Sequence, residues 1–77
     1  MRYQNASGRK SLLIIEPWAE QYSIEPGDKV NIIGEGGDLN SGFELKHADS
    51  ELIVYGWVGS VVKVWRNGVE VLPSDQS

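Results

Sequence analysis

The pair Asn67-Gly68 lies between two apolar runs, Val61 to Arg66 and Val69 to Leu72, and nothing else in the chain constrains its fold as tightly. Asn and Gly both accept the positive φ that a type I′ turn requires, and the twist of that turn matches two right-twisted strands. Counting outward sets the register: Arg66 opposite Val69, Trp65 opposite Glu70, Val64 opposite Val71 and Lys63 opposite Leu72. Because side chains alternate across a sheet, Val62, Val64, Val69 and Val71 are expected on the core face, with Lys63, Trp65 and Glu70 on the other. Pro73 cannot donate to a ladder and ends the unit.

Upstream, Met1 to Lys10 is polar and without apolar period, so residues 1–10 are expected to form a flexible N-terminal arm. Leu12-Leu13-Ile14-Ile15 reads as a strand from Ser11 to Glu16 covered on both faces and stopped by Pro17. Pro17 to Tyr22 is the one stretch with helix-starting character, too short for more than a single turn in which Trp18 and Tyr22 share a face; an extended crossing is the alternative. Glu25-Pro26-Gly27-Asp28 predicts a type II turn into a strand from Lys29 to Gly34. Gly34 to Gly42 has the composition of a flexible loop, and Phe43 to His47 alternates as a half-buried antiparallel strand. Leu52 to Val58 is β-rich on both faces, with Gly56 marking a bulge or a close backbone approach.

Six strands at short spacing, fourteen Val and Ile with no Thr, and no useful helical period predict an all-β domain, a small antiparallel barrel or sandwich over residues 11–73 followed by a polar tail at 74–77. Leu, Ile, Val and Phe make up 21 of 77 residues, enough apolar content to fold. With no Cys, no disulfide helps so short a chain, and stability must come from its core, a partner chain or both. The longest apolar run, Leu12 to Ile15, is too short to span a bilayer or to serve as a secretory signal, which leads to a cytoplasmic expectation. Seven Lys and Arg against eleven Asp and Glu leave a net charge of −4, so nucleic acid is not an expected partner; the only basic cluster is Arg2, Arg9 and Lys10 in the arm.

No catalytic set stands out. His47 is the only imidazole and shares its strand face with Phe43 and Leu45, while the serines sit mostly at turns. One His and no Cys give no zinc site, and no cofactor is expected. Asp38 to Gly42 opens like a calcium loop, but Phe43 and Asp49 stand where that loop needs Gly and Glu. Gly34 to Gly37 lacks the Lys and helix start of a phosphate cradle. Glu16 and Glu20 bracket Pro17-Trp18-Ala19, and a pair of carboxylates can work as acid and base, although acids beside such a turn also favour its start electrostatically. Three Trp in so short a chain point instead to aromatic contact surfaces, and the binding candidates are Trp18, Tyr22, Tyr55, Trp57 and Trp65.

The string Ile15-Glu16-Pro17-Trp18-Ala19-Glu20, with Tyr22, Pro26-Gly27-Asp28 and Tyr55-Gly56-Trp57-Val58-Gly59-Ser60-Val61, resembles a small, functionally uncharacterised bacterial family of β-rich proteins, and that resemblance implies no activity. Ile24 to Ile32, after an apolar strand ending in Pro17, is similar to the AbrB/MazE family of swapped-hairpin DNA-binding dimers. That similarity implies a helical segment after the proline and phosphate contacts by Arg2, Arg9 and Lys10. Three functional expectations follow: a non-catalytic interaction module with an unknown protein partner or self-association through strand edges, a DNA-binding regulator of the swapped-hairpin kind, or a small-ligand-binding barrel or enzyme subunit using the Gly34 to Gly42 loop.

Overall fold

The computed structural model describes residues 1–38, 42–48 and 50–73. The polar tail at 74–77, Asp49, and the Leu39-Asn40-Ser41 part of the glycine-rich loop lie outside the described residues. Among the described residues eight strands are present: β1 (Arg2–Gln4), β2 (Ser11–Glu16), β3 (Glu20–Ile24), β4 (Lys29–Gly36), β5 (Glu44–Ala48), β6 (Glu51–Tyr55), β7 (Ser60–Arg66) and β8 (Val69–Val71). They form two four-stranded sheets, ordered β1-β4-β7-β8 and β3-β2-β6-β5, that share one core and do not close into a barrel.

The alternation read from sequence builds that core. Each of five strands contributes two buried apolar side chains spaced by two: Leu13 and Ile15 from β2, Tyr22 and Ile24 from β3, Val30 and Ile32 from β4, Leu52 and Val54 from β6, Val62 and Val64 from β7. Tyr3, Phe43 and Val71 pack against this set. The hairpin pairs in the expected register, Arg66 with Val69, Trp65 with Glu70 and Val64 with Val71, and Asn67 and Gly68 take φ of 53° and 77°. Only the Val69 side chain departs from the expected core face, because it stands exposed at the tip. At the Pro26-Gly27 turn, Gly27 has φ 84° and the Asp28 N–H donates to the Glu25 carbonyl at 3.0 Å, as a type II turn requires.

Four features differ from the sequence expectation. Arg2–Gln4, inside the segment read as a flexible arm, pairs with β4. Pro17 to Ala19 forms a non-helical turn, with Ala19 at φ 56°, and the chain continues as β3, so no helical turn forms at 17–22. The sheets are not wholly antiparallel, because β2 and β6 pair in parallel. Such a pair needs a long crossover, and the excursion through β3, β4 and β5 supplies it. Finally, β5 is exposed along its whole length instead of half-buried: it is the edge strand of its sheet, and only the preceding Phe43 reaches the core.

What anchors the first ten residues is Asn5, which is buried to 1% exposure. Its side-chain amide donates to the carbonyls of Arg9 and Ile24 at 2.7 and 2.8 Å. Its side-chain oxygen accepts from the N–H and hydroxyl of Ser7. Its own N–H donates to the Asp28 carbonyl, and its carbonyl accepts from Gly27 N–H. One residue thereby ties the β1–β2 loop to the end of β3 and to the turn before β4. Asn5→Ala leaves the buried Ile24 carbonyl without its side-chain donor and removes the bonds to Ser7 and Arg9, and it is expected to lower the unfolding free energy by about 2–3 kcal/mol. Urea denaturation checks this: the midpoint should fall with an unchanged slope, and a loss below about 0.5 kcal/mol contradicts the assigned role.

Candidate functional site

The five aromatic candidates do not converge on one patch. Tyr22 is in the core at 3% exposure, so in this arrangement a partner cannot reach it. Tyr55 stands on the outer face of the β3-β2-β6-β5 sheet, opposite Glu16 of β2 and Glu44 of β5. Trp65 is half-buried on the outer face of the other sheet, flanked across strands by Asn31 and Glu70. Trp57 and Trp18 both border the Gly56–Gly59 loop but serve different ends.

Trp57 is a structural clasp. Its indole N–H donates to the Gly36 carbonyl at 2.8 Å, and its ring tilts against Phe43 with centroids 5.2 Å apart. The ring lies so close over Gly34 that a Cβ there would stand 2.5 Å from its outer edge. The Ser60 hydroxyl locks the loop from the other side, accepting the Trp57 N–H and donating to the Trp57 carbonyl at 2.7 Å. Gly56 shows the close approach expected of it: a Cβ would meet the Ser60 hydroxyl at 2.8 Å and Trp18 and Val62 at 3.2 Å each.

Trp18, held out on the β2–β3 turn, is 46% exposed. With Glu20, Ser60, Val61 and Val62 it lines an open groove of about 250 Å³. One wall of that groove is β7, and among the described residues its Ser60 to Lys63 half has no strand partner on the side away from β4. The observed pairing stops at Val64 opposite Val71; extended by two residues it would set Pro73 opposite Val62, where proline has no N–H to give the Val62 carbonyl. The strand β8 accordingly ends at Val71. The direction of the Val62 backbone groups follows from the alternation of the ladder. Ile32 exchanges both its bonds with Met1, on its β1 side, so Val64 opposite it points away from β4, as does Val62 two residues earlier. Val62 thus presents an N–H and a C=O to the groove, with the exposed Val61 side chain and the Trp18 ring beside them.

Glu20 is the charged residue of the groove's lining. Burial pushes the Tyr22 hydroxyl up to about 12, and the charges of Glu20 and Glu70 add to that rise. The two carboxylates that bracket Pro17-Trp18-Ala19 in sequence are not brought together as an acid and base pair. Glu20 lies opposite the core-facing Ile15, whereas Glu16 lies opposite the outward Tyr55, so they project from opposite faces of one sheet. His47 is exposed on the edge strand β5 opposite Leu52. Among the described residues no group of three His, Cys, Asp or Glu could hold a metal, and no helix is long and apolar enough to cross a membrane. Of the three N-terminal cations, Lys10 pairs with Glu25 at 3.6 Å, Arg9 is exposed, and Arg2 sits on the outer face of β1.

Sequence reasoning does not identify the groove, although its signal is present in the distance from Asn67-Gly68 to Pro73. Nor does it identify a second depression at Arg2 and Lys29, because that depends on β1. No family model, curated protein or solved structure matches the chain.

Tyr22 gives a test of the buried arrangement. Its hydroxyl ionises near 10 when unfolded and near 12 when folded, so the stability tied to its protonation is complete below pH 10 and is lost as pH rises through 12. Tyr22→Phe is expected to flatten the fall in stability between pH 9 and pH 11, measured by urea denaturation at both values. An unchanged alkaline slope contradicts the burial assigned to Tyr22.

Proposed function

We propose that the protein is a non-catalytic binding module that takes up an extended segment of a protein partner as an added strand along the uncovered half of β7. The observation that carries this reading is the Val62 backbone pair, which has no strand partner among the described residues and is bordered by Trp18 and Val61. Strand addition supplies affinity through main-chain bonds and selectivity through pockets for alternate side chains. Here the groove offers an indole and a valine to an apolar side chain, and Glu20 to a cationic one. The favoured segment is therefore extended, with apolar residues alternating with Lys or Arg, a composition complementary to a chain of net charge −4. Trp18 is the expected anchor, since a large rigid side chain rimmed by polar groups concentrates binding energy.

Selection from a displayed random-peptide library against the full chain, followed by NMR titration of the best synthetic peptide, tests this. The expected result is an enriched basic and apolar alternation, amide shifts concentrated at Ser60 to Lys63, and a shift of the Trp18 indole. Trp18→Ala should weaken the peptide at least about tenfold. Peptides that map to another surface, or an absence of binders, would overturn the proposal. Strand pairing between two copies would appear instead as concentration-dependent shifts at the same amides without peptide.

A further inference from the structure

The outer face of the β1-β4-β7-β8 sheet carries a second, oppositely charged depression of about 230 Å³, lined by Arg2, Lys29, Val30, Asn31, Asn67 and Gly68. Strand pairing assembles it. Arg2 lies opposite Asn31 and Gln4 opposite Lys29 across the β1–β4 ladder. Because Ile32 exchanges its bonds with Met1, both of those are non-hydrogen-bonded pairs, the kind in which side chains stand closest, about 4.5 Å between Cα atoms. The turn at Asn67-Gly68 closes the depression from the β7 side, and Trp65 faces Asn31 directly across the β4–β7 ladder.

Two cations and no carboxylate line this depression, in a chain whose net charge is −4. Lys10 and Arg66 each have a carboxylate within ion-pair distance, Glu25 and Asp28 respectively. Among the described residues Arg2 and Lys29 have none, as is also true of Arg9, Lys46 and Lys63, but Arg2 and Lys29 line one depression together and no carboxylate lies in it. Two unneutralised cations close together repel one another, and an anion placed between them converts that repulsion into two charge-assisted bonds. The side chains of Asn31 and Asn67 add amide N–H donors, so the lining offers two cations and two neutral donors to a single oxyanion. Beside it, the half-buried Trp65 ring provides an apolar surface on which a flat or puckered ring can rest.

We infer that this depression binds a phosphate monoester borne on a small ring-containing molecule, with the phosphate between Arg2 and Lys29 and the ring against Trp65. The site lies on a different surface from the β7 groove, and its fate does not depend on that reading.

The test is an NMR titration of the full chain at fixed ionic strength with inorganic phosphate, with ribose 5-phosphate and with ribose alone. The expected result is saturable movement of the Asn31 and Asn67 side-chain amides and of Gly68 with both phosphates, tighter for ribose 5-phosphate and accompanied by the Trp65 indole, and no response to ribose. Arg2→Gln and Lys29→Gln should each weaken ribose 5-phosphate about tenfold, with spectra that remain dispersed. Lys46→Gln, on the edge strand of the other sheet, should leave binding unchanged. Shifts that grow linearly without saturation, that spread over all surface cations, or that survive Arg2→Gln and Lys29→Gln would overturn the site. Saturable phosphate binding with no gain from the ribose ring would overturn the role given to Trp65.

Discussion

Burial of five pairs of side chains between two sheets is the contact on which the rest of the structure depends. Two residues each from β2, β3, β4, β6 and β7 meet there, and a chain of 77 residues has little else to bury. A core that small cannot by itself fix the loops around it, and polar groups at its margin hold them instead. Asn5 ties the β1–β2 loop to the β3–β4 turn, and Trp57 with Ser60 ties the β6–β7 loop to β4. Arg66 closes the side of the sandwich, reaching the Ser23 carbonyl at 3.3 Å and Asp28 at 3.4 Å.

An open sandwich has strand edges, and their treatment separates structure from function. The edge strand β5 carries Glu44 and Lys46, charges that discourage edge-to-edge pairing, while β1 and β8 are only three residues long. The β7 edge has a different character. Among the described residues it is uncovered from Ser60 to Lys63, and there the adjoining surface is an exposed indole, an exposed valine and a glutamate instead of a run of charges. Selective uncovering beside an aromatic is what a strand-accepting surface needs, and this is the basis of the proposed function. The cationic depression under Arg2 and Lys29 on another face gives the small domain two surfaces of opposite sign.

Features encoded by neighbours in sequence were legible. Asn67-Gly68 determined both a turn and a register, Pro26-Gly27 a turn, and Gly56 a close approach, because each depends on the φ or the missing Cβ of one or two residues. The alternating valines of the hairpin placed Val62 and Val64 in the core and Val71 against it. What stayed hidden depends on distant partners. Arg2-Tyr3-Gln4 has no apolar period and becomes a strand only because β4 offers a free edge. Asn5 has the appearance of any loop residue, and its role exists only where the Ile24 and Asp28 carbonyls come within reach. Glu20 to Ile24 was masked by the helix-favouring residues before it, and a parallel β2–β6 pair leaves no local trace in either strand. The same logic divides the aromatic candidates: composition marked them as unusual, but only tertiary packing separates Tyr22 in the core and the clasp at Trp57 from the exposed Trp18.

The functional reading rests on a Val62 N–H that faces an edge uncovered among the described residues, while the Val64 N–H, two residues on, faces β8. Amide hydrogen exchange of the free full chain measures both in one experiment. Val62 is expected to exchange at least ~100-fold faster than Val64 under native conditions, although both side chains are in the same core. Equal protection at the two positions would mean that the β7 edge is already covered, and it would contradict the assignment of that edge as the partner-binding surface.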